Sequence, residues 1–340
     1  MRGCSPSAFN LALVLGMLCM PGQMLAACAR DGVEAEDGER TPAVRIGRVV
    51  EVTDGTIEYR RPVWSPDSKK LAFSGSDWRD IYVRRADGSG PIRKVRCGDG
   101  ISCILMWTAD SKAMVCRLYL GTMGVMIGRV DVVTGWVDTL AGPFGFVDRF
   151  GLNSLGDVTF MADSETKVLD TVTGGVKSVD EYHSKERPGS AYVEIEMDYR
   201  NRTMWIVEGG GAKRTEFPYK VSLASLSPTL DRVAFSRADG YVYVSRLDGS
   251  SMVKAGYGCR EAWSPDGKRL VYLGAIRQDH FNVIAADLFV VNADGGGAVR
   301  LTDTRDTVED YPVWSPDGTR IAYSDVRTGK VLVADLEELR

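Results

Sequence analysis

Three stretches of the chain repeat one pattern: Pro62-Val63-Trp64-Ser65-Pro66-Asp67, Glu261-Ala262-Trp263-Ser264-Pro265-Asp266-Gly267 and Pro312-Val313-Trp314-Ser315-Pro316-Asp317-Gly318. Each runs into a short apolar segment, Leu71-Ala72-Phe73, Leu270-Val271-Tyr272 or Ile321-Ala322-Tyr323. A repeat of this kind constrains the architecture before any single residue does. Each unit has an apolar face that only a neighbouring copy can cover.

The unit reads as strand, tight turn, strand. Ser-Pro-Asp-Gly suits a type I turn: a hydrogen-bonding residue first, Pro with its φ pre-set second, Gly fourth. The β-branched and aromatic run that follows suits a packed strand. A third strand and an Asp-Gly turn come next, as in Ile81-Tyr82-Val83 with Asp87-Gly88, Tyr241-Val242-Tyr243-Val244 with Asp248-Gly249, and Leu288-Phe289-Val290-Val291 with Asp294-Gly295. Asp-Gly between apolar alternations is a strong hairpin signal. Weaker copies appear at Met106-Trp107-Thr108-Ala109-Asp110 and Leu226-Ser227-Pro228. Two more show only as strand pairs, around Val158–Met161 with Lys167–Leu169 and around Met204–Val207 with a partner near Arg214. Trp64, Trp107, Trp263 and Trp314 share one motif position and are expected to pack between sheets.

The expected fold is all-β: a β-propeller of four-stranded antiparallel blades, at about 42 residues per blade. The count favours seven blades; the short spacing between the fourth and fifth units leaves six open. The segment from Val44 to Val52 is a spare strand, and the last unit ends after its third strand near Leu336. Closure is expected by the N-terminal strand completing the last blade, which removes the free sheet edges.

Trp-Ser-Pro-Asp-Gly, then Ile-Ala-Tyr, then Leu-Phe-Val-Val-Asn-Ala-Asp-Gly-Gly, resembles the propeller repeat of TolB and its bacterial relatives. The resemblance covers most of the chain after Val44 and implies the fold. TolB also has an α/β domain ahead of its propeller, for which the short stretch before Val44 offers no room.

Residues 11–20 are an apolar run of ten behind a single positive charge, Arg2. This is too short to span a bilayer and suits the core of an export signal. Leu25-Ala26-Ala27-Cys28 resembles the bacterial lipoprotein box, which implies lipidation of Cys28 and anchoring to the membrane. Ala29 stands where Asp would imply inner-membrane retention, so the resemblance implies a periplasm-facing outer-membrane location in the cell envelope. Residues 1–27 then form the signal peptide, 28–43 an acidic flexible tether, and 44–340 the propeller.

The formal net charge is −4, with both signs interspersed. No basic stripe suggests a nucleic-acid surface. Cys97 and Cys103 flank a loop between two strands and are candidates for a disulfide in an exported protein; two thiols are the alternative. Cys116 follows Val115 in a strand and is expected to be buried. No cysteine pair has zinc-site spacing, and no metal or other cofactor is expected.

Catalytic signatures are sparse. No Gly-x-Ser-x-Gly nucleophile elbow is present. The two histidines, His183 and His280, are few for the histidine clusters that metallo-lyases built on propellers gather. His183 falls in a polar stretch. His280 falls in a long insertion of the sixth unit, where a rigid scaffold can place function. The Asp-Gly pairs lack the spacing of a calcium loop and read as turn residues. Asp303, Asp306, Glu309 and Asp310 form a denser acidic loop, expected to be solvated and otherwise a candidate for a cation or a basic partner. In a propeller the residues that begin each innermost strand build one mouth of the central funnel. By motif alignment these include Arg60, Arg61, Arg260, Glu261, Asp310 and Tyr311, and His280 joins them as a candidate. The expected function is a non-catalytic, lipid-anchored, monomeric scaffold that binds an envelope protein or a peptidoglycan-linked partner at this mouth. The alternative is a propeller enzyme or a small-ligand or metal binder with its site in the funnel.

Overall fold

The computed structural model describes residues 44–75, 80–96, 106–119, 121–152, 158–162, 165–170, 175–178, 193–198, 201–208, 213–279, 282–304 and 307–339. They form seven antiparallel sheets, the blades of a propeller. Blade 1 holds Tyr59–Trp64, Lys70–Gly75, Ile81–Arg85 and Arg93–Arg96, ordered from the axis outward. Blade 6 holds Cys259–Trp263, Arg269–Asp279, Asn282–Asn292 and Val299–Arg300. Blade 4 has three strands among the described residues: Val193–Asp198, Thr203–Glu208 and Lys213–Glu216. It is a full member of the ring, so the count is seven.

Blade 7 closes the ring. Its inner strands are Glu309–Trp314, Arg320–Asp325 and Lys330–Glu338, and its outermost is the N-terminal Val44–Glu51. Val44 pairs with Glu338 and Glu51 with Leu332. The expected closure therefore stands, and the last sheet edge is covered by the start of the same domain.

The core is divided among the seams between blades rather than gathered in one place. Val271, Leu273, Leu288 and Val290 of blade 6 pack on Ile321, Tyr323 and Trp314 of blade 7. Tyr59, Leu71 and Phe73 of blade 1 pack on Ala322, Val331 and Val333 of blade 7. Each alternating strand presents one apolar face to each neighbour, as stacked repeats require.

The repeated motif explains the seams. In the turn of blade 1 the Ser68 amide donates to Ser65 O at 2.9 Å, and the Lys70 amide donates to Ser65 Oγ at 2.9 Å. The same bonds recur at Ser264 and Ser315. The motif tryptophan does more than fill space. Trp107 Nε1 donates to Val63 O of the preceding blade at 3.1 Å, Trp64 to Val313 O at 3.3 Å, and Trp263 to Ser225 O at 3.1 Å. A cation six residues after the motif tryptophan position then covers the next blade's indole: Lys70 over Trp107, Arg232 over Trp263, Arg320 over Trp64. The seam from blade 6 to blade 7 departs from this pattern. Arg269 instead makes a bidentate pair with Glu338, at 2.6 and 3.0 Å, and Trp314 Nε1 is buried with no hydrogen-bond partner among the described residues.

Successive strands of a blade are antiparallel, so the ring has two unlike faces. One carries the Ser-Pro-Asp-Gly turns. The other, the mouth face, carries the starts of the innermost strands and the hairpins between second and third strands.

Candidate functional site at the funnel mouth

Three consecutive blades, 6, 7 and 1, carry the same irregularity three residues before their motif tryptophan. Arg260, Tyr311 and Arg61 have φ of +61°, +53° and +53°. At each, the innermost strand slips in register against its neighbour, between Cys259 and Ala262, Asp310 and Val313, and Arg60 and Val63. A left-handed residue other than glycine costs about 1–2 kcal/mol. Bulges of this kind re-aim side chains and gather at sites. Just ahead of Arg260, Gly258 brings its backbone so close to blade 6's second strand that a Cβ would lie 1.9 Å from Leu273 O. No larger residue fits there.

The bulges bring three side chains into one group. The Arg260 guanidinium carbon lies 4.2 Å from the centre of the Tyr311 ring, and that of Arg61 lies 4.7 Å from it. Each comes from a neighbouring blade, and an Arg over an aromatic face is attractive. Arg260 Nη2 also donates to Tyr311 Oη at 3.3 Å. Its Nε lies 3.2 Å from Asp310 Oδ1, with the two side chains 10% and 0% exposed. Arg60 pairs with Glu58 at 3.1 Å. Burial pushes the Asp310 carboxyl up, opposed by the charges of Arg260, Arg60 and Arg61. Asp310 Oδ2, and Oγ of its cross-strand neighbour Ser324, are buried without partners among the described residues. Buried polar groups of this kind are uncommon, and each needs an explanation. On the same face Arg237 of blade 5 lies over the rings of Tyr219 and Tyr243.

Arg60, Arg61, Arg260, Asp310 and Tyr311, named from motif alignment, thus come together. Two expectations need correction. Glu261 is buried in the seam with blade 5, where Ser236 Oγ donates to Oε2 at 2.6 Å. Burial raises this carboxyl to about 7, and Oε1 has no partner among the described residues. The acidic loop before blade 7 is not a solvated cluster. Glu309 and Asp310 are 1% and 0% exposed, while Asp303 sits outside on Arg300 at 2.7 Å. Two adjacent acids opening a strand carry no local sign of burial, which comes from the neighbouring blades that cover them. The shared offset of Arg61, Arg260 and Tyr311 from the tryptophan was legible and was the signal for the stack.

Cys116 is fully buried, as expected. Cys28, Cys97, Cys103, Asp306, His183 and His280 lie outside the described residues. Among the described residues no group of three or more His, Cys, Asp or Glu side chains could hold a metal ion. The Asp-Gly carboxylates cap their own turns: Asp87 accepts from the Ser89 amide and Asp248 from the Ser250 amide, both at 2.9 Å.

Fold and mouth together define a seven-bladed propeller with a cationic, aromatic site built by three adjacent blades. The chain is similar in structure to an oligogalacturonate lyase from Vibrio parahaemolyticus, at a TM-score of 0.60 and 14% identity over 84% of this chain and 93% of that one. It is equally similar to an oligogalacturonate lyase in complex with manganese, at 0.60 and 16% identity over 85% and 93%. At these identities the likeness is one of fold. In sequence it is 40% identical over 70 residues to dipeptidyl-peptidase 5 of Porphyromonas gingivalis, covering 21% of this chain and 10% of the peptidase. It is 41% identical over 59 residues to an uncharacterized peptidase of Bacillus subtilis, covering 17% and 8%. The chain thus matches about a tenth of the length of these relatives. No family profile matches it.

Proposed function

We propose that the funnel mouth binds a small acidic ligand, with Arg60, Arg61 and Arg260 receiving its carboxylate beside Tyr311. The observation that carries this reading is the Arg260–Tyr311–Arg61 stack on three left-handed bulges. A guanidinium fork matches a carboxylate in shape and charge. The structural neighbours act, by their names, on an acidic oligosaccharide, which supports a uronate-bearing saccharide as the ligand class and enzymatic action on it as part of this proposal. Among the described residues no group of three or more His, Cys, Asp or Glu side chains could hold the manganese named with the second neighbour.

Calorimetric titration of the full chain with trigalacturonate, against neutral maltotriose, tests the proposal. The acidic trisaccharide should bind at least about tenfold more tightly, a difference of about 1.4 kcal/mol. Arg61→Ala and Arg260→Ala should each remove that preference. Equal or absent binding of the two sugars would overturn it and return weight to a scaffold for an envelope protein or a peptidoglycan-linked partner. Ultraviolet detection of unsaturated uronate product in the same samples reads out lyase activity, and release from dipeptidyl chromogens reads out peptidase activity. Lipid anchoring through Cys28 is part of the proposal: Cys28→Ser should abolish lipid labelling, and unchanged labelling would refute it.

A further inference from the structure

We propose a second ligand site, separate from the funnel mouth: the cleft between blades 6 and 7, where Glu309 receives the ammonium group of a small organic amine. The cleft has a volume of about 310 Å³, at the small end of ligand pockets. Its walls are apolar, formed by Ile46 and Val49 of the closing strand, Leu332 of blade 7 and Leu301 at the edge of blade 6. Thr302, Thr304, Thr307 and Glu309 also line the cleft, and Thr302 Oγ donates to Glu309 Oε2 at 2.6 Å. Among the described residues this seam lacks the tryptophan hydrogen bond and the cation over the indole found at three others.

The charges around Glu309 favour a cation. Asp287, fully buried, is held by Arg300 at 2.6 Å and by the Thr304 amide at 2.9 Å. Asp325 accepts from the Val308 and Arg327 amides and from Thr328 Oγ. Both have hydrogen-bonding partners of their own. Tyr323 also lines the cleft. Asp303 sits outside on Arg300, and Lys330 is paired with Glu51 at 2.8 Å. Burial, with the charges of Asp287 and Asp325, raises Glu309 to about 8. Near neutrality it therefore keeps its proton, and a bound ammonium would exchange for it. The ammonium keeps its own protons, the Glu309 O–H bond breaks, and one proton passes to solvent as the carboxylate pairs with the cation. The apolar walls suit the ligand's hydrocarbon part, and among the described residues a bare metal ion finds no group of three side chains to hold it.

The test uses matched probes on the full chain: n-hexylamine, n-hexanol and hexanoate, titrated at pH 7 in two buffers of different ionisation enthalpy. Hexylamine should bind at least about tenfold more tightly than hexanol, near 1.4 kcal/mol, and hexanoate more weakly than either. The buffer dependence should show proton release on amine binding. Glu309→Gln should abolish the preference for amine over alcohol. Val49 is 44% exposed at the rim, so Val49→Trp should fill the cleft without unfolding the ring and should remove binding of both. Arg260→Ala should leave amine binding intact. Equal binding of amine and alcohol, no proton release, or unchanged binding in Val49→Trp would overturn the proposal. Loss of amine binding in Arg260→Ala would overturn the separation of the two sites.

Discussion

On the turn face, the fourth turn position is left-handed in five blades, filled by Ser68, Ser111, Leu230, Gly267 and Gly318. On the mouth face, the left-handed position three residues before the tryptophan is filled in three adjacent blades by Arg61, Arg260 and Tyr311. The first set is small, or in one case aliphatic, and serves the backbone. Two of its members are glycine, which adopts this conformation without strain. The second set holds large charged or aromatic side chains where glycine would be less strained. The turn face therefore treats left-handed backbone as a way to reverse the chain, and the mouth face uses it to aim side chains. Strain kept where a smaller residue would relieve it points to function.

Breaking the turn-face pattern should have the largest effect on stability and little direct effect on ligand choice. Trp107→Ala removes a buried indole and its bond to Val63 O. It should lower unfolding free energy by about 3–5 kcal/mol, measured by denaturant titration. On the mouth face, Asp310→Asn strips Arg260 of its buried counter-charge and should lower stability by about 3 kcal/mol. The double variant Arg260→Met with Asp310→Leu should recover most of that loss while abolishing binding of acidic ligand. A double variant that still bound would separate the mouth from the function assigned to it.

The buried carboxyl of the neighbouring seam gives a pH test. Glu309 is raised from its ordinary 4.5 to about 8, so the folded state holds the proton more tightly than the unfolded chain. Its contribution to stability is fully present below about pH 4.5 and is lost as pH rises through about 8. Glu309→Gln should flatten that part of the stability curve, followed as Tm against pH. The smallest expected effect is the sharpest contrast between the faces. Arg202 is an exposed turn residue at φ +55°, and Arg202→Gly should stabilise by up to about 1 kcal/mol without altering ligand binding. Arg61→Gly relieves a similar strain at φ +53° but should lose the preference for acidic ligand. Equal binding in the two variants would erase the distinction.

Much of this was legible in the chain. The spacing of Trp-Ser-Pro-Asp, the Asp-Gly turns and the spare strand at Val44 gave the ring and its closure, because turn chemistry and strand alternation are local properties. Motif alignment also named the mouth residues. What it left open was which of them face the funnel and which face a seam. Arg260 and Glu261 are adjacent, yet one stacks on Tyr311 and the other is buried against Ser236. Glu309 looked like one acid among several, and only the packing of blade 6 on blade 7 makes it a buried carboxyl beside a cleft.

The sequence by itself thus determined the repeat, the turns and the strands that flank them in the clearest copies, since these follow from residues close together in the chain. The tertiary structure decided the rest: the tryptophan bonds between blades, the Arg260–Tyr311–Arg61 stack and the burial that raises the Glu309 carboxyl. The Arg260–Tyr311–Arg61 stack joins side chains on three blades, with Arg61 and Tyr311 on strands from opposite ends of the sequence. Burial and charge at a seam depend on which surfaces the closed ring brings together.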